Sequence, residues 1–456
     1  FKAAVYEHVP VLQETQYAAA FVIQANLDIF EEQVQIASTQ GASIIVFPEY
    51  GLTGLGWGRD RLREIAEEIP DPRTEDSTPC DNSNITLIQR SLSCMAQHSE
   101  IYIAVNMISK EKCTITEDPD CRDDGLYLYN TNIVYNDMGK LVGRYRKWTL
   151  FYETALDQPK TVEHDYFDTS FGRIGTFICF DVIFAPPAIE LVEQFDIDTA
   201  LFPTAWQSLI PIFQGVGYHE SWAILTGTNL LSSEIHVPIA KFAGSGINIG
   251  GSGATSYYFD DDILSPPKLL ISEVPVHPPK PHAAELPTLP NVDPDYEIFE
   301  TDIHGDTFRM VALEWGSHEI FVTHENTSCY LNYTYKHKDP EELLAFGVFQ
   351  GLHRDAHNYY IQVCLITKCA DSHNPDSCGD RVLQSNTVFE SFSMRGEFSS
   401  RYVFPTVVID GGYPTGNMSD WNFTIDPTNN RATIGFQSED KPLLYTSLYG
   451  RMYERD

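Results

Sequence analysis

The stretch Ile174-Gly175-Thr176-Phe177-Ile178-Cys179-Phe180-Asp181 decides the predicted fold, because it is an apolar, strand-like run that ends in a cysteine and an aspartate. Two other short runs have the same form. One ends in Phe47-Pro48-Glu49 and the other in Tyr145-Arg146-Lys147. Because all three groups lie where a strand gives way to a loop, we expect Glu49, Lys147 and Cys179 to meet at one end of a sheet.

These three residue types suggest a specific chemistry. A Glu, a Lys and a Cys supply a general base, a cation and a nucleophile, the minimum set for cleaving an amide through a thioester. Each residue alone has a simpler interpretation, since a cysteine in an apolar strand is usually a small buried residue and lone charges are usually solvated. The ordered combination favours a covalent hydrolase, and Glu153 follows Lys147 by six residues as a further candidate.

Length and composition bound the class of protein. The chain has 456 residues, more than one hydrophobic core usually serves, so two domains are expected. Hydrophobic residues make up 43% and charged residues 21%, which is typical of a globular protein. The formal net charge of −34 would repel phosphate backbones and anionic lipid headgroups. Nucleic acid is therefore excluded as a partner, and the sequence leaves the oligomeric state open.

The nine cysteines divide into one isolated residue, Cys179, and eight in short-spaced pairs or a C-terminal cluster. The short loops Cys80 to Cys94 and Cys113 to Cys121 suit disulfides of an oxidising compartment. A metal site is disfavoured, because no C-x-x-C pair is present and the histidines do not cluster near the cysteines. Four C-terminal cysteines permit three pairings, of which we select Cys329 with Cys364 and Cys369 with Cys378.

Sequence signals also predict the compartment. Five Asn-x-Ser/Thr glycosylation acceptors agree with a secreted or lumenal protein: Asn84, Asn326, Asn332, Asn417 and Asn422. The chain shows no signal peptide and opens directly in a strand, as a processed ectodomain would. We expect an extracellular protein, secreted or held by a membrane anchor outside this sequence, with the lysosome as a further compartment.

The chain is organised in three parts. Residues 1–275 alternate strand-like and helix-like segments, which favours an α/β layered fold. Residues 276–295 are a predicted linker, because the stretch Val274 to Asp295 contains seven prolines in 22 residues. Residues 296–456 are predicted to form a β-rich second domain. Within the first part we predict helices at 17–40, 84–98, 186–195 and about 212–231, and strands at 101–108, 127–135 and 199–202.

The ordered Glu49, Lys147 and Cys179 resemble the triad of the nitrilase superfamily, and the sequence is most similar to its vanin and biotinidase branch. The supporting runs reach both ends of the chain, so the resemblance covers both predicted domains. They are Ala4-Val5-Tyr6-Glu7-His8, Ile69-Pro70-Asp71-Pro72, Phe202-Pro203-Thr204-Ala205-Trp206, Gly244-Ser245-Gly246-Ile247 and Leu448-Tyr449-Gly450-Arg451-Met452-Tyr453-Glu454-Arg455-Asp456.

The resemblance implies an α-β-β-α sandwich with the triad at its strand ends, followed by a smaller β-rich base domain. It also implies that Glu49 takes the thiol proton of Cys179. Lys147 and the backbone N–H of Phe180 would stabilise the oxyanion, and Glu153 would hold Lys147 or the substrate. No cofactor is implied.

Pocket residues and substrate are less determined. Trp206, Tyr50 and His219 are candidates for the substrate pocket, and Tyr50 departs from the acidic residue that follows the base in the resembled branch. Both Trp206 and His219 also have a purely structural interpretation. The resemblance favours pantetheine, cleaved to pantothenate and cysteamine, over biotinyl amides. A non-catalytic secreted binding protein on the same scaffold is the alternative from another functional class.

Overall fold

A computed structural model describes residues 1–11, 16–82, 85–290, 296–414, 420–438 and 440–456. The chain divides into two compact units. The N-terminal unit comprises Phe1–Gln207, Thr228–Ile247 and Ser256–Pro278, and the C-terminal unit comprises Ser208–Gly227, Asn248–Thr255 and Pro279–Asp456.

Residues 1–278 contain the helices and the first twelve strands. The helices are α1 Ala19–Thr39, α2 Arg59–Ile65, α3 Leu87–Ser99, α4 Glu190–Phe195 and α5 Gly215–Thr226. The strands are β1 Lys2–Glu7, β2 Ile44–Val46, β3 Tyr102–Lys112, β4 Leu126–Tyr135, β5 Leu141–Arg146, β6 Asp165–Thr169, β7 Gly172–Thr176, β8 Thr199–Thr204, β9 Asn229–Glu234, β10 Ser245–Ile249, β11 Gly253–Tyr258 and β12 Lys268–Glu273. Among the described residues, none of these helices is long and apolar enough to span a lipid bilayer.

Two six-stranded sheets form the sandwich. Their strand orders are β12-β1-β2-β3-β4-β5 and β11-β10-β9-β8-β7-β6, with a parallel centre in each: β1, β2 and β3 in the first, β7, β8 and β9 in the second. Hydrogen bonds cross between the sheets from Asn132 to Thr176 at 2.7 Å and from Ser233 to the Tyr6 carbonyl at 2.7 Å. Parallel strands covered on both faces read as continuous apolar runs, which explains the run before Cys179.

Helices cover the outer faces. Helices α1 and α3 bury apolar residues against the first sheet in one core that includes Val22, Leu27, Phe30 and Leu92. On the second sheet, Gly175 lets Ile197, which follows α4, approach closely, since a Cβ at residue 175 would lie 2.9 Å from the Ile197 Cδ1 atom. The structure therefore confirms the predicted α/β class and its layered sandwich.

The remaining strands belong to the C-terminal unit. They are β13 Phe299–Ile303, β14 Asp306–Ala312, β15 Ser317–His324, β16 Thr327–His337, β17 Leu344–Arg354, β18 Asn358–Lys368, β19 Val388–Glu397, β20 Val403–Ile409, β21 Tyr413–Pro414, β22 Trp421–Asp426, β23 Arg431–Gln437 and β24 Leu443–Arg451. They form a seven-stranded sheet, β13-β14-β17-β18-β24-β20-β21, and a five-stranded sheet, β15-β16-β19-β23-β22. The two sheets share one apolar core, as the predicted β-rich domain requires.

Four disulfides are present, in the same pairs as in the sequence-based prediction: Cys80–Cys94, Cys113–Cys121, Cys329–Cys364 and Cys369–Cys378. The third joins β16 of one sheet to β18 of the other. Cys179 is the one free cysteine. Because Cys179 is buried, its thiol is protected from exchange with these disulfides.

Two details differ from the predictions. The helix predicted at about 212–231 ends at Thr226, because Gly227 adopts a left-handed conformation with φ of 62°, and Asn229 already belongs to β9. The compact units are also not contiguous in sequence. Within the C-terminal unit, α5 packs closely on β20, where a Cβ at Gly217 would lie 3.0 Å from the Thr406 side chain.

The predicted linker also has ordered contacts in its middle. The backbone N–H of Ala284 donates to the Ile425 carbonyl at 3.1 Å, and the N–H of Ile425 donates to the His282 carbonyl at 3.0 Å. This short pairing with β22 lies within the C-terminal unit. Residues 291–295 of the predicted linker lie outside the described residues.

Candidate active site

Three strand ends of the N-terminal unit bring Glu49, Lys147 and Cys179 together. Glu49 follows β2, Lys147 comes directly after β5, and Cys179 begins a 3₁₀ turn, Cys179–Ile183, that follows β7. All three side chains are nearly inaccessible, with exposed fractions of 1%, 2% and 4%. Cys179 has φ of 47°, a left-handed conformation that a non-glycine residue adopts only when the surrounding structure holds it there. The sharp turn therefore begins at Cys179, shortly after the end of β7 at Thr176.

Lys147 is bound by two carboxylates. Its Nζ lies 2.7 Å from Glu49 Oε1 and 2.8 Å from Glu153 Oε2. The side-chain amide of Asn130, on β4, donates to Glu49 Oε1 and to Glu153 Oε1 at 2.7 Å each. A buried ammonium with two carboxylate partners stays charged, because losing its proton would leave those anions buried without a cation.

The peptide groups at Ala205, just after β8, connect the carboxyl of Glu49 with the thiol of Cys179. The N–H of Ala205 donates to Glu49 Oε2 at 2.9 Å, and the Cys179 thiol donates to the Ala205 carbonyl at 3.5 Å. Glu49 therefore has one oxygen on the Lys147 side and the other on the side of the thiol. That arrangement suits a carboxyl that passes a proton to and from sulfur.

The two carboxyl groups have opposite pKa shifts. Burial raises the pKa of Glu49, the Lys147 ammonium opposes this effect, and the charge of Glu153 adds to it. Burial also acts to raise the pKa of Glu153, but the Lys147 ammonium and the hydrogen bonds from Lys147 and Tyr50 outweigh it and lower that pKa. The surroundings thus favour the ionised form of Glu153 and the protonated form of Glu49.

The thiol and the ammonium also have shifted pKa values. Burial and the nearby Glu49 raise the pKa of Cys179 well above its ordinary value, although Lys147 acts against this effect. Burial alone would lower the pKa of Lys147, but the charges of Glu153 and Glu49 raise it. The resting site therefore contains a thiol beside a carboxyl group, and a thiol with so high a pKa reacts as a nucleophile only where such a group can take its proton.

Asp181 braces the turn that carries Cys179. Its carboxyl accepts hydrogen bonds from the N–H of Ile178 at 3.1 Å, from the N–H of Thr149 at 2.7 Å and from the Tyr145 hydroxyl at 2.7 Å. Tyr145 and Thr149 flank Lys147 in the sequence, and Ile178 directly precedes Cys179. Burial raises the pKa of Asp181 to about 6. The carboxyl group of Asp181 thus fixes the turn that begins at Cys179 relative to the segment that contains Lys147.

A cavity of about 400 Å³ opens onto the three side chains. Its volume lies within the range that holds a small organic ligand. Among the described residues that line it, Lys147 is the one cation. The wall is otherwise largely apolar or small and comes from two loops: Gly54, Leu55, Gly56, Trp57 and Gly58 on one, and Phe151, Tyr152, Thr154, Ala155 and Leu156 on the other.

The predicted site residues differ in where they lie. Glu153 and Tyr50 line the cavity beside Glu49, Lys147 and Cys179, and Phe180 is the second residue of the 3₁₀ turn. Trp206 and His219 are not among the lining residues. Trp206 is buried, and its N–H donates to Glu234 Oε1 at 2.9 Å. His219 is a buried residue of α5 in the C-terminal unit, where burial lowers its pKa to about 3.

Sequence reasoning missed Asn130 and the backbone of Ala205. Asn130 carried a usable signal, because it is a polar residue within the apolar strand β4, and a buried amide must find partners. The backbone groups of Ala205 carry no sequence signal. Within the described part of the chain, no group of three or more His, Cys, Asp or Glu residues is arranged to hold a metal ion.

Comparison with known proteins gives two family matches and full-length relatives. Residues 9–194 match the Carbon-nitrogen hydrolase family, and residues 298–456 match the Vanin C-terminal domain. The pantetheinases of Sus scrofa and Homo sapiens are 37% and 36% identical, over 100% of this chain and 89% and 90% of the relatives. The biotinidase of Bos taurus is 32% identical, over 100% of this chain and 93% of that protein.

Proposed function

Because the chain belongs to the vanin and biotinidase branch of the carbon–nitrogen hydrolases, we propose that it cleaves pantetheine through a thioester on Cys179. The chain is an enzyme that acts on amides, so a non-catalytic binding protein is set aside. The observation that carries the proposal is the shared contact of Glu49 and Cys179 with Ala205, next to the Lys147 ammonium, at the bottom of one cavity.

In the acylation half, Glu49 accepts the proton of the Cys179 thiol as the sulfur attacks the amide carbon. The C–S bond forms, and the carbonyl oxygen becomes an oxyanion, which Lys147 and the backbone N–H of Phe180 stabilise. Preformed donors in a site sheltered from water contribute strongly to such a step, because they need no reorganisation. The C–N bond then breaks as protonated Glu49 gives its proton to the leaving amine.

In the deacylation half, Glu49 takes a proton from water, and the resulting hydroxide attacks the thioester carbon. The second oxyanion occupies the same donors. The C–S bond then breaks, and Glu49 returns the proton to the sulfur of Cys179, which restores the thiol and releases a carboxylic acid. A carboxyl group with a raised pKa suits this work, since it must hold a proton in the middle of each half and release it at the end.

The cavity supports a neutral amide as the substrate. Its described lining has one cation, Lys147, which already has two carboxylate partners, so no free positive charge is available for a substrate carboxylate. The aromatic and aliphatic walls can pack against the substrate chain. The relatives favour pantetheine, and biotinyl amides are the second candidate, because a biotinidase aligns with the whole chain at 32% identity.

The proposed setting is extracellular. Four disulfides are typical of an oxidising compartment. Among the predicted glycosylation acceptors, Asn326, Asn332 and Asn422 are exposed, as attachment of a glycan requires. Asn84 and Asn417 lie outside the described residues.

The test is a side-by-side assay of cysteamine release from pantetheine and of amine release from a biotinyl amide, with the products separated from the substrates and with Cys179→Ala as the control. We expect cysteamine release by the native protein and none by the variant. Cleavage of the biotinyl amide alone would assign the second candidate, and cysteamine release that persists in Cys179→Ala would refute the proposed nucleophile. Cleavage of neither compound would refute both candidate substrates.

A further inference from the structure

Tyr50 occupies an unusual place beside the two carboxyl groups. It follows Glu49 directly and has φ of 57°, a left-handed conformation that is rare for a bulky residue. Its N–H donates to Asn106 Oδ1 at 3.0 Å, and its ring lines the cavity. The backbone conformation turns the side chain of Tyr50 toward the same polar group that holds Lys147.

The Tyr50 hydroxyl donates to Glu153 Oε1, and the Asn130 amide lies 3.3 Å from the Tyr50 oxygen. Glu153 therefore has four donors. Tyr50 and Asn130 donate to Glu153 Oε1. Lys147 and the backbone N–H of Phe151 donate to Glu153 Oε2, at 2.8 and 2.9 Å. A carboxylate that accepts several hydrogen bonds keeps its negative charge, because each donor favours the ionised form.

We propose that Tyr50 is a positioning residue whose hydroxyl keeps Glu153 ionised, so that Glu153 balances Lys147 and Glu49 remains the carboxyl that exchanges a proton with Cys179. The proposal rests on the proposed function, since it assigns Glu49 as the base. It gives a role to the position at which this chain departs from the acidic residue of the resembled branch. An acid at residue 50 would add a third carboxyl group against one lysine.

The surroundings of Tyr50 fit a neutral donor. The titratable and charged groups that interact with Tyr50 or Glu153 are Glu49, Lys147 and Cys179. Burial and the charges of Glu153 and Glu49 raise the pKa of Tyr50 well above its ordinary value, so the phenol keeps its proton. With Glu153 ionised, its repulsion adds to the burial that holds the pKa of Glu49 high.

The decisive variant is Tyr50→Phe, which removes the hydroxyl and keeps the ring. Glu153 then loses one of four donors and takes up a proton at higher pH. A hydrogen bond to a charged group corresponds to a shift of about one pH unit. We therefore expect the low-pH part of the acid limb of the kcat/KM profile, where Glu153 takes up its proton, to move to higher pH by about one unit. Tyr166→Phe, on β6 and partly exposed, is the matched control.

A second readout needs no substrate. The rate at which iodoacetamide alkylates Cys179, measured against pH, reports the same ionisations in the native protein, in Tyr50→Phe, in Glu153→Gln and in the double variant. We expect the lower inflection to move to higher pH by about one unit in Tyr50→Phe, and we expect the Tyr50 substitution to have no further effect once Glu153 is replaced.

Two results would overturn the proposal. The first is a pair of superimposable pH profiles for Tyr50→Phe and the native protein, whether or not the activity falls by the same factor at every pH. The second is an undiminished effect of Tyr50→Phe in the Glu153→Gln background. Because alkylation of the thiol is measured without pantetheine and without amide hydrolysis, a failure of pantetheine as the substrate would leave this test intact and would count only against the proposed function.

Discussion

Two lysine–glutamate pairs, one in each compact unit, have the same distance of 2.7 Å, but the pKa values of their carboxyl groups are shifted in opposite directions. In the N-terminal unit Lys147 contacts Glu49, and in the C-terminal unit Lys368 contacts Glu342. The pKa of Glu49 is raised by burial despite its lysine. Burial also acts to raise the pKa of Glu342, but hydrogen bonds from Lys368 and Thr387 outweigh it and lower that pKa.

The difference lies in the other groups that surround each glutamate carboxyl group. Glu342 accepts hydrogen bonds from the N–H of Asn386 at 2.9 Å and from the N–H and hydroxyl of Thr387 at 3.0 and 2.7 Å, so its negative charge is well satisfied. Glu49 shares its lysine with Glu153 and faces a thiol and a cavity. An ion pair by itself is therefore weak support for a catalytic role. The arrangement that indicates function is the one in which Glu49 and Glu153 share a single lysine.

The largest expected effect is that of Glu49→Gln, which removes the proposed base while keeping the shape of the side chain. We expect kcat/KM to fall by about 10³ to 10⁴-fold, since general base catalysis and activation of the thiol are both lost. The matched substitution Glu342→Gln should leave kcat/KM within about twofold of the native value. Steady-state kinetics of both purified variants would measure these effects. Equal losses of kcat/KM in the two variants would contradict the proposed difference between the two lysine–glutamate pairs.

Lys147→Met should cause the next largest loss of activity. Loss of the proposed oxyanion donor lowers kcat by about 10² to 10³-fold. It also leaves Glu49 and Glu153 without their cation, so their carboxyl groups hold protons to higher pH and the acid limb of any residual activity moves upward. The pH profile of the variant measures this effect. Residual activity with an unmoved limb would contradict the assignment of the ammonium to both roles.

Glu342→Gln should affect stability instead of catalysis. Removing the charge leaves Lys368 without its anionic partner, at a cost of about 1 to 3 kcal/mol in the free energy of unfolding, because the pair is partly shielded from solvent. A lowered carboxyl pKa contributes stability above the unfolded-state pKa that is lost as pH falls through the folded-state value. Urea unfolding should therefore separate variant and native protein at pH 7 and bring them together in acid. A constant difference at every pH would exclude this linkage.

Asp165→Asn should have a smaller effect of the opposite sign. Burial raises the pKa of Asp165, on β6, to about 7, and its Oδ2 has no hydrogen-bond partner among the described residues. A raised carboxyl pKa means that the folded state loses stability as pH rises from the unfolded-state value to about 7. The amide avoids that loss, so we expect a gain of about 1 to 2 kcal/mol at pH 8 and little change at pH 4. Destabilisation of the variant at pH 8 would be the contrary result.

The fold class could be predicted from sequence because the buried strands of the sandwich are apolar runs and the functional side chains follow them. The end of α5 could not be predicted from apolar spacing. The residues around 226–231 remain apolar or small, and the left-handed Gly227 is what separates the helix from β9. Tertiary pairing with β8 decides the strand there.

Part of the candidate site could be located from the sequence for a similar reason, and the catalytic roles of its residues stay predictions. Glu49, Lys147 and Cys179 could be found because their residue types stand out after apolar strands. The division of work between Glu49 and Glu153 could not, because it depends on Asn130, the Tyr50 hydroxyl and the peptide of Ala205, which meet only after folding. The roles of Trp206 and His219 in a substrate pocket remain predictions.

The most direct test of the covalent route is rapid acid quenching of the enzyme during turnover of pantetheine, followed by mass spectrometry of the peptide that contains Cys179. We predict a pantothenoyl group attached to that peptide, which accumulates at early times and disappears when the substrate is exhausted. It should be absent from Cys179→Ala. Continued turnover with no adduct on this peptide, or with an adduct on another residue, would contradict the account.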